Sequence, residues 1–324
     1  MVLLEVNGLS KALGGDDVVK NVSFVQEVSQ KIAIAGEAGS GKTTLLKMIG
    51  GLLQPDGGEA LLLNERIKGP DEVLIAGHKQ VAYLSQHFEL RNNYHVHEVL
   101  DMACKVPAEA AMKIFDICKI THLLHRWTDE LSGGEKQRIA LAKLLVTSPS
   151  LLLLDEPFSN LDAGNKRMIQ DVLHDISNKI KMTCLMVSHD ATDILSWADL
   201  VIVMKNGIIV QQDTPQNLYL KPKDNYCAAL FGYVNLINKR SMLFDEALQH
   251  TNCFVRPEHI AIAPAEGNFV SGRITRKKFM GNFFILEVMV GDQEILVQLT
   301  SDAHAVGSLV NLGIAPEYFN IPRP

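Results

Sequence analysis

Apolar residues recur with more than one rhythm along the 324 residues of this chain. The run at 151–154 is wholly apolar, as a strand covered on both sides requires, and 31–35, apolar after Lys31, also predicts a buried strand. Between them the spacing becomes helical. Leu45, Leu46, Met48, Ile49 and Leu52 form one stripe. Ile139, Leu141, Ala142, Leu144 and Leu145 form another, with Lys136, Gln137 and Lys143 facing elsewhere. Strand and helix alternate from 139 to 204, the rhythm of a parallel sheet. Residues 2–6 and 22–28 predict early strands, and 87–130 predicts mainly helix, with candidate helices over 97–105 and 107–120. Lys205-Asn206-Gly207 predicts a hairpin between 201–204 and 208–212. Beyond about residue 230 the texture changes. Short β-like segments at 268–275, 283–290 and 294–299, punctuated by Gly267, Gly281, Gly291 and Gly307, predict a small β-barrel.

Chemistry enters where the first buried strand ends. Gly36-Glu37-Ala38-Gly39-Ser40-Gly41-Lys42-Thr43, with Thr44 following, matches the phosphate-loop pattern G-x-x-x-x-G-K-[ST]. Its glycines let consecutive backbone N–H groups turn inward on a phosphate, and the helix that begins near Lys42 adds its positive dipole end. Lys42 is expected to reach the β- and γ-phosphates of a nucleotide, and Thr43 to ligate Mg²⁺. A second acidic segment, Asp155-Glu156, caps the run at 151–154, at the carboxyl end of a strand where open α/β sheets bind ligands. Asp155 is expected to hold Mg²⁺ through its water shell, and Glu156 to take a proton from the attacking water.

Leu131-Ser132-Gly133-Gly134-Glu135-Lys136-Gln137-Arg138 reads as a second phosphate grip, since two glycines and a hydroxyl stand at a helix start. One chain needs one phosphate loop, so a second grip implies a site completed by another copy. This stretch resembles the signature motif of ATP-binding cassette (ABC) ATPases, and the other motifs fall into that family's order. Gln86 in Val81-Ala82-Tyr83-Leu84-Ser85-Gln86 looks like its glutamine loop. Ser159-Asn160-Leu161-Asp162 is similar to its aspartate loop, and Ser188-His189 to its switch histidine. The resemblance implies an α/β phosphate-loop (P-loop) NTPase domain over 1–230, with a helical subdomain at about 87–130, and a homodimer with ATP between copies. Ser132, Gly133, Gly134, Glu135 and Asp162 would then serve the partner's nucleotide, while Gln86 links the metal and attacking water to a membrane-facing surface. His189 would hold the γ-phosphate region. One family position departs. Leu13 stands where an aromatic ring normally stacks on adenine, which implies weaker base stacking.

The tail over 236–324 resembles the regulatory β domain of importer ATPases for maltose, sulfate, polyamines and iron(III). Val255-Arg256-Pro257-Glu258, Phe279-Met280-Gly281 and the junction Phe231-Gly232-Tyr233-Val234-Asn235 carry that likeness. It implies a cytoplasmic, peripheral subunit on the inner face of a cell membrane, working with two integral-membrane permease subunits and an extracytoplasmic solute-binding protein. Rivals are a soluble cassette ATPase acting on ribosomes or DNA, and a regulator that binds ATP without hydrolysing it. The first usually carries two cassettes or coiled-coil insertions, and neither is seen here; intact Glu156 and His189 argue against the second.

Composition narrows the field further. A net charge of -6 argues against nucleic acid as the main partner. No apolar run approaches the roughly 18 residues of a membrane span, and the start reads as a strand rather than a signal peptide. Five scattered cysteines without C-x-x-C spacing suit a reducing compartment. The basic stripe Arg273, Arg276, Lys277, Lys278 reads as a solvated strand, because 236–324 holds 8 Lys/Arg against 9 Asp/Glu. His95 with His97, and His122 with His125, share faces by spacing but have no carboxylate or cysteine to complete a four-ligand metal set.

Overall fold

The structure is a computed structural model that describes residues 1–86, 90–237, 253–262, 270–315 and 318. The chain divides into two compact units, Met1–Pro215 and Gln216–Pro324. In the first unit the strands are β1 (Val2–Leu13), β2 (Asp16–Glu27), β3 (Lys31–Ala35), β4 (Gly57–Leu62), β5 (Glu65–Arg66), β6 (Val81–Leu84), β7 (Leu151–Asp155), β8 (Thr183–Val187), β9 (Leu200–Lys205) and β10 (Ile208–Asp213). Its helices are α1 (Lys42–Ile49), α2 (Val96–Asp101), α3 (Ala108–Ile117), α4 (Gly133–Leu145), α5 (Ala163–Lys179) and α6 (Ala191–Trp197). Among the described residues no helix is long and apolar enough to cross a membrane.

The six-stranded sheet has the order β10-β9-β3-β8-β7-β6, and every pairing from β9 to β6 is parallel. All five residues of β7 and of β8 are buried, which explains their unbroken apolar runs. Because β3, β6, β7 and β8 are parallel, their carboxyl ends at Ala35, Leu84, Asp155 and Val187 lie on one edge. The phosphate loop, Gln86, Glu156 and His189 therefore begin from the same side of the sheet. A second, antiparallel sheet has the order β2-β1-β4-β5. Its first two strands run well past the expected 2–6 and 22–28, because bulges in their pairing keep Leu9, Val19 and Val22 inward despite breaks in the alternation.

The hairpin after β9 forms as expected, with Asn206 at φ 50° and Gly207 at φ 83°, both in the left-handed region that a two-residue turn needs. Gly207 also accepts from Lys20 N at 2.9 Å and donates to Ser40 O at 3.2 Å, so this turn braces the phosphate loop. The helices of 87–130 are shorter than predicted. After Asp101 the chain leaves the helical path to pair Lys105 N with Val146 O at 2.8 Å, and Pro107 then caps α3.

The second unit carries α7 (Pro215–Leu220), α8 (Asn225–Leu230), the pair β11 (Asn235–Ile237) and β12 (Cys253–Val255), and strands β13 (Ile260–Ile262), β14 (Val270–Phe279), β15 (Phe284–Val290), β16 (Gln293–Leu299) and β17 (Leu309–Ile314). Five of them form one antiparallel sheet, β13-β17-β14-β15-β16. Its two edge strands also approach one another, so the sheet curls into a half-barrel around Ile274, Leu286, Val288, Val297 and Leu312. The start of the predicted strand 268–275, at 268–269, lies outside the described residues. The basic stripe on β14 is partnered: Lys278 and Arg276 face Glu287, Lys277 pairs with Asp302, and Arg273 donates to Gly307 O.

Arg256 holds the chain after Pro215 within the second unit. This guanidinium is 2% exposed. It donates from Nε to Tyr219 O at 3.1 Å, and from Nη1 to Ala228 O, Gly232 O and Tyr233 O at 3.0, 3.2 and 2.9 Å. Its plane also lies 4.1 Å from the Tyr219 ring centroid. The stretch from Tyr219 to Tyr233, which reaches into the expected junction at 231–235, is thereby bound to β12 and the turn after it. Arg256→Leu should strip four carbonyls of a charged donor and destabilise this unit by about 3 kcal/mol. Chemical denaturation followed by circular dichroism should show an earlier transition for the variant.

Candidate active site

The phosphate loop owes its shape to close backbone contacts. Gly41, at φ 95°, caps α1, and a methyl group there would lie 2.4 Å from the Val18 carbonyl oxygen. Only glycine fits both the conformation and the space. Inside the loop, the Lys42 ammonium donates to Gly36 O at 2.7 Å and Glu37 O at 2.8 Å, with Ser40 Oγ at 3.3 Å. Burial pushes the Lys42 pKa down, against the opposing pull of Glu156, Asp155 and Glu37.

Two acids leave β7 in different directions. Asp155 is 4% exposed, and each of its oxygens accepts a hydroxyl: Oδ1 from Thr43 Oγ1 at 2.9 Å, and Oδ2 from the Tyr83 phenol at 2.6 Å. Burial and then the bond to Asp155 push the Tyr83 phenol upward, so it remains a donor. Glu156 turns out of the strand at φ 51°. Its N–H donates to Val187 O at 3.0 Å, and its carbonyl accepts from Ser159 N and Oγ at 3.1 and 2.8 Å. That turn delivers the Glu156 carboxylate to His189, with Oε2 2.6 Å from Nδ1.

The remaining motif residues stand at helix starts. Ser132 caps α4 in a reciprocal box: its Oγ and N–H both donate to Glu135 Oε2 at 2.8 Å, and Oγ accepts from Glu135 N at 3.4 Å. The backbone and side-chain bonds from Ser132 hold the Glu135 carboxyl below its ordinary range despite some burial. Gly133 has open space around it, whereas Gly134 packs against Asn165. Asp162 caps α5, accepting from Gly164 N, Asn165 N and Asn165 Nδ2 at 2.9, 3.0 and 2.6 Å. Those bonds, the backbone one from Asn165 first, hold its pKa down.

Sequence reading missed several members of this constellation. Gln137 does not face outward as expected: it is buried, and its amide donates to Pro157 O at 2.5 Å, tying α4 to the turn after Glu156. Lys166 on α5 pairs with Asp190 at 2.6 Å and with buried Asp193 at 3.0 Å, which ties the residue after His189 to the helix that Asp162 starts. Burial would raise Asp190, yet Lys166 and Thr192 hold it down to about 2. Tyr83 had a legible signal, a polar-tipped aromatic three residues before Gln86 in a strand next to β7. Gln86 is exposed just beyond β6, and 87–89 lie outside the described residues. Leu13 is 45% exposed at the end of β1. His95 and His97 stack, and their Nδ1 atoms pair with the carbonyls of His125 and Leu124.

Comparison with known proteins agrees with this geometry. Residues 19–159 match the ABC transporter family, and 253–318 match the TOBE domain. The chain is 33% identical over 311 residues to an Fe(3+) ions import ATP-binding protein of Rhodococcus jostii, covering 91% of this chain and 89% of that one. This chain belongs to the ABC transporter family. An ABC relative from Clostridium acetobutylicum, a spermidine/putrescine import ATP-binding protein, is 28% identical over 346 residues, covering 99% of this chain and 97% of its own. Among solved ABC structures, cbiO1 of Clostridium perfringens, described as part of the transporter complex cbiONQ, superposes with a TM-score of 0.61 at 26% identity over 67% of this chain and 90% of that one.

The α4–α5 contact yields a test. A methyl group at Gly134 would lie 2.3 Å from Asn165 Oδ1, so Gly134→Ala should displace the amide that Asp162 accepts from. The loss should be about 1 kcal/mol, read by denaturant titration. It should largely disappear in an Asn165→Ala background, as a double-mutant cycle requires.

Proposed function

We propose that this chain is the ATP-binding and ATP-hydrolysing subunit of an ABC importer, coupling turnover at a dimer interface to solute passage through partner membrane subunits. The observation that carries this reading is the assembly of Lys42, Thr43, Asp155, Glu156 and His189 on one sheet edge beside the phosphate loop. The loop backbone from Gly36 to Thr44 wraps the phosphates, and Lys42 transfers its ammonium from loop carbonyls to the β- and γ-oxygens. Thr43 and Asp155, side by side with hard oxygen donors, fit Mg²⁺, with Gln86 as a further ligand. When bound, that ion supplies charge neutralisation to the β- and γ-phosphates. Glu156 accepts the proton of the attacking water, and His189 fixes that carboxylate while facing the γ-phosphate.

Ser132, Gly133, Gly134, Glu135 and Asp162 of one copy serve the nucleotide held by the other. The capping box uses the N–H groups of Ser132 and Glu135, so those of Gly133 and Gly134 are the ones proposed to meet the partner's phosphates. The subunit works at the cytoplasmic face of the membrane, as a homodimer against two integral permease subunits fed by an extracytoplasmic solute-binding protein. The two relatives named for iron(III) and for spermidine/putrescine point to different solutes, so selectivity resides in those other components. The ATPase unit is proposed to span 1–230, with its helical subdomain at about 87–130, and the regulatory β unit 236–324.

Glu156→Gln should keep ATP binding, lose nearly all phosphate release and trap an ATP-loaded dimer on size exclusion. Wild-type turnover in that variant sinks the base assignment. Ser132→Arg should abolish hydrolysis with nucleotide binding retained. Mixing it with inactive Lys42→Ala should recover activity from dimers holding one intact composite site, and silence across all mixing ratios counts against independent shared sites.

A further inference from the structure

We propose that Tyr83 is a positioning residue for the metal side of this site, fixing the Asp155 carboxylate so that its other edge meets Thr43. The inference rests on the reading of Asp155 as the carboxylate that holds Mg²⁺.

Asp155 sits at the last position of β7, with its side chain buried and its two oxygens facing opposite hydroxyls. Among the described residues, Thr43 and Tyr83 are the two side chains that donate to it. Their roles differ. Thr43 Oγ1 belongs to the ligand set proposed for Mg²⁺, so its bond to Asp155 must be remade whenever the metal enters or leaves. Tyr83 donates to the other oxygen, Oδ2, from a half-buried phenol that is outside that ligand set. The pairing Tyr83↔Leu153 and Leu84↔Leu154 in parallel register keeps the phenol level with the end of β7. A phenol is well suited to this task. Its ring packs against the core of the first unit, it costs few rotamers to hold, and its hydroxyl supplies one donor. Without it, one oxygen of a buried carboxylate loses its donor, and the side chain turns to find another. Tyr83 also lies on the strand that runs into Gln86, so the same strand fixes Asp155 and delivers the proposed glutamine ligand.

The test is Tyr83→Phe in the full-length protein, which keeps the ring and removes the hydroxyl. The readout is Mn²⁺ binding by electron paramagnetic resonance with a non-hydrolysable ATP analogue, beside analogue binding in excess chelator. Loss of an outer partner of a metal ligand is expected to weaken Mn²⁺ by about tenfold while metal-free nucleotide affinity stays unchanged. Unaltered Mn²⁺ affinity overturns the proposal. So does an equal fall in metal-free affinity, because that marks a general disturbance of the loop. Asp155→Asn serves as the control. If it too leaves Mn²⁺ affinity unchanged, the metal reading of Asp155 has failed; if it weakens Mn²⁺ and Tyr83→Phe does not, only the positioning role has failed.

Discussion

A buried carboxylate is the constraint around which the candidate active site is organised. Asp155 ends a strand whose every residue is buried, and an ionised acid in that position requires partners. Two hydroxyls and the charge of Lys42 supply them, from two elements: Thr43 and Lys42 from the start of α1, Tyr83 from β6. The requirement that Asp155 be satisfied therefore holds α1, β6 and β7 in mutual register at the point where the phosphate loop opens. Glu156, one residue on, escapes the same burial only because the backbone enters the left-handed region, and that turn is held by Val187 and Ser159.

Helix starts carry a second layer of order. Ser132, Asp162 and Asp190 each accept from N–H groups of the helix they begin. A cap is worth roughly 1 kcal/mol to its helix, so the side chains that define these loops also stabilise the elements behind them. Lys166 then joins two of the three by pairing α5 to α6 beside His189. The helix that Asp162 begins is in this way tied to the residue after His189.

The parallel sheet was legible because burial on both faces leaves unbroken apolar runs, as at 151–154 and 32–35. The phosphate loop and the two acids were legible because their chemistry restricts residue type at fixed spacing. What escaped were contacts between elements distant in sequence. Gln137 looked polar and outward by helical spacing, yet the carbonyl that buries it belongs to Pro157. Arg256 was visible as part of a motif, but its four carbonyl partners lie 23 to 37 residues earlier, and nothing local announces them. Periodicity also overran helix ends: Leu52 keeps the α1 rhythm after the helix has stopped at Ile49.

The Val18 carbonyl has a consequence for which substitutions the chain can absorb. Side chains at two positions far apart in sequence, Gly41 and Gly207, would both collide with that single oxygen, at 2.4 and 2.6 Å. Both glycines also need left-handed backbone, so neither site offers an alternative residue an easy fit. A turn at the sheet's antiparallel margin, with no proposed chemistry of its own, is therefore as intolerant of drift as the loop proposed to grip phosphate. Variation at these two positions is restricted by shared space around one backbone atom, a carbonyl that itself takes no part in the proposed chemistry.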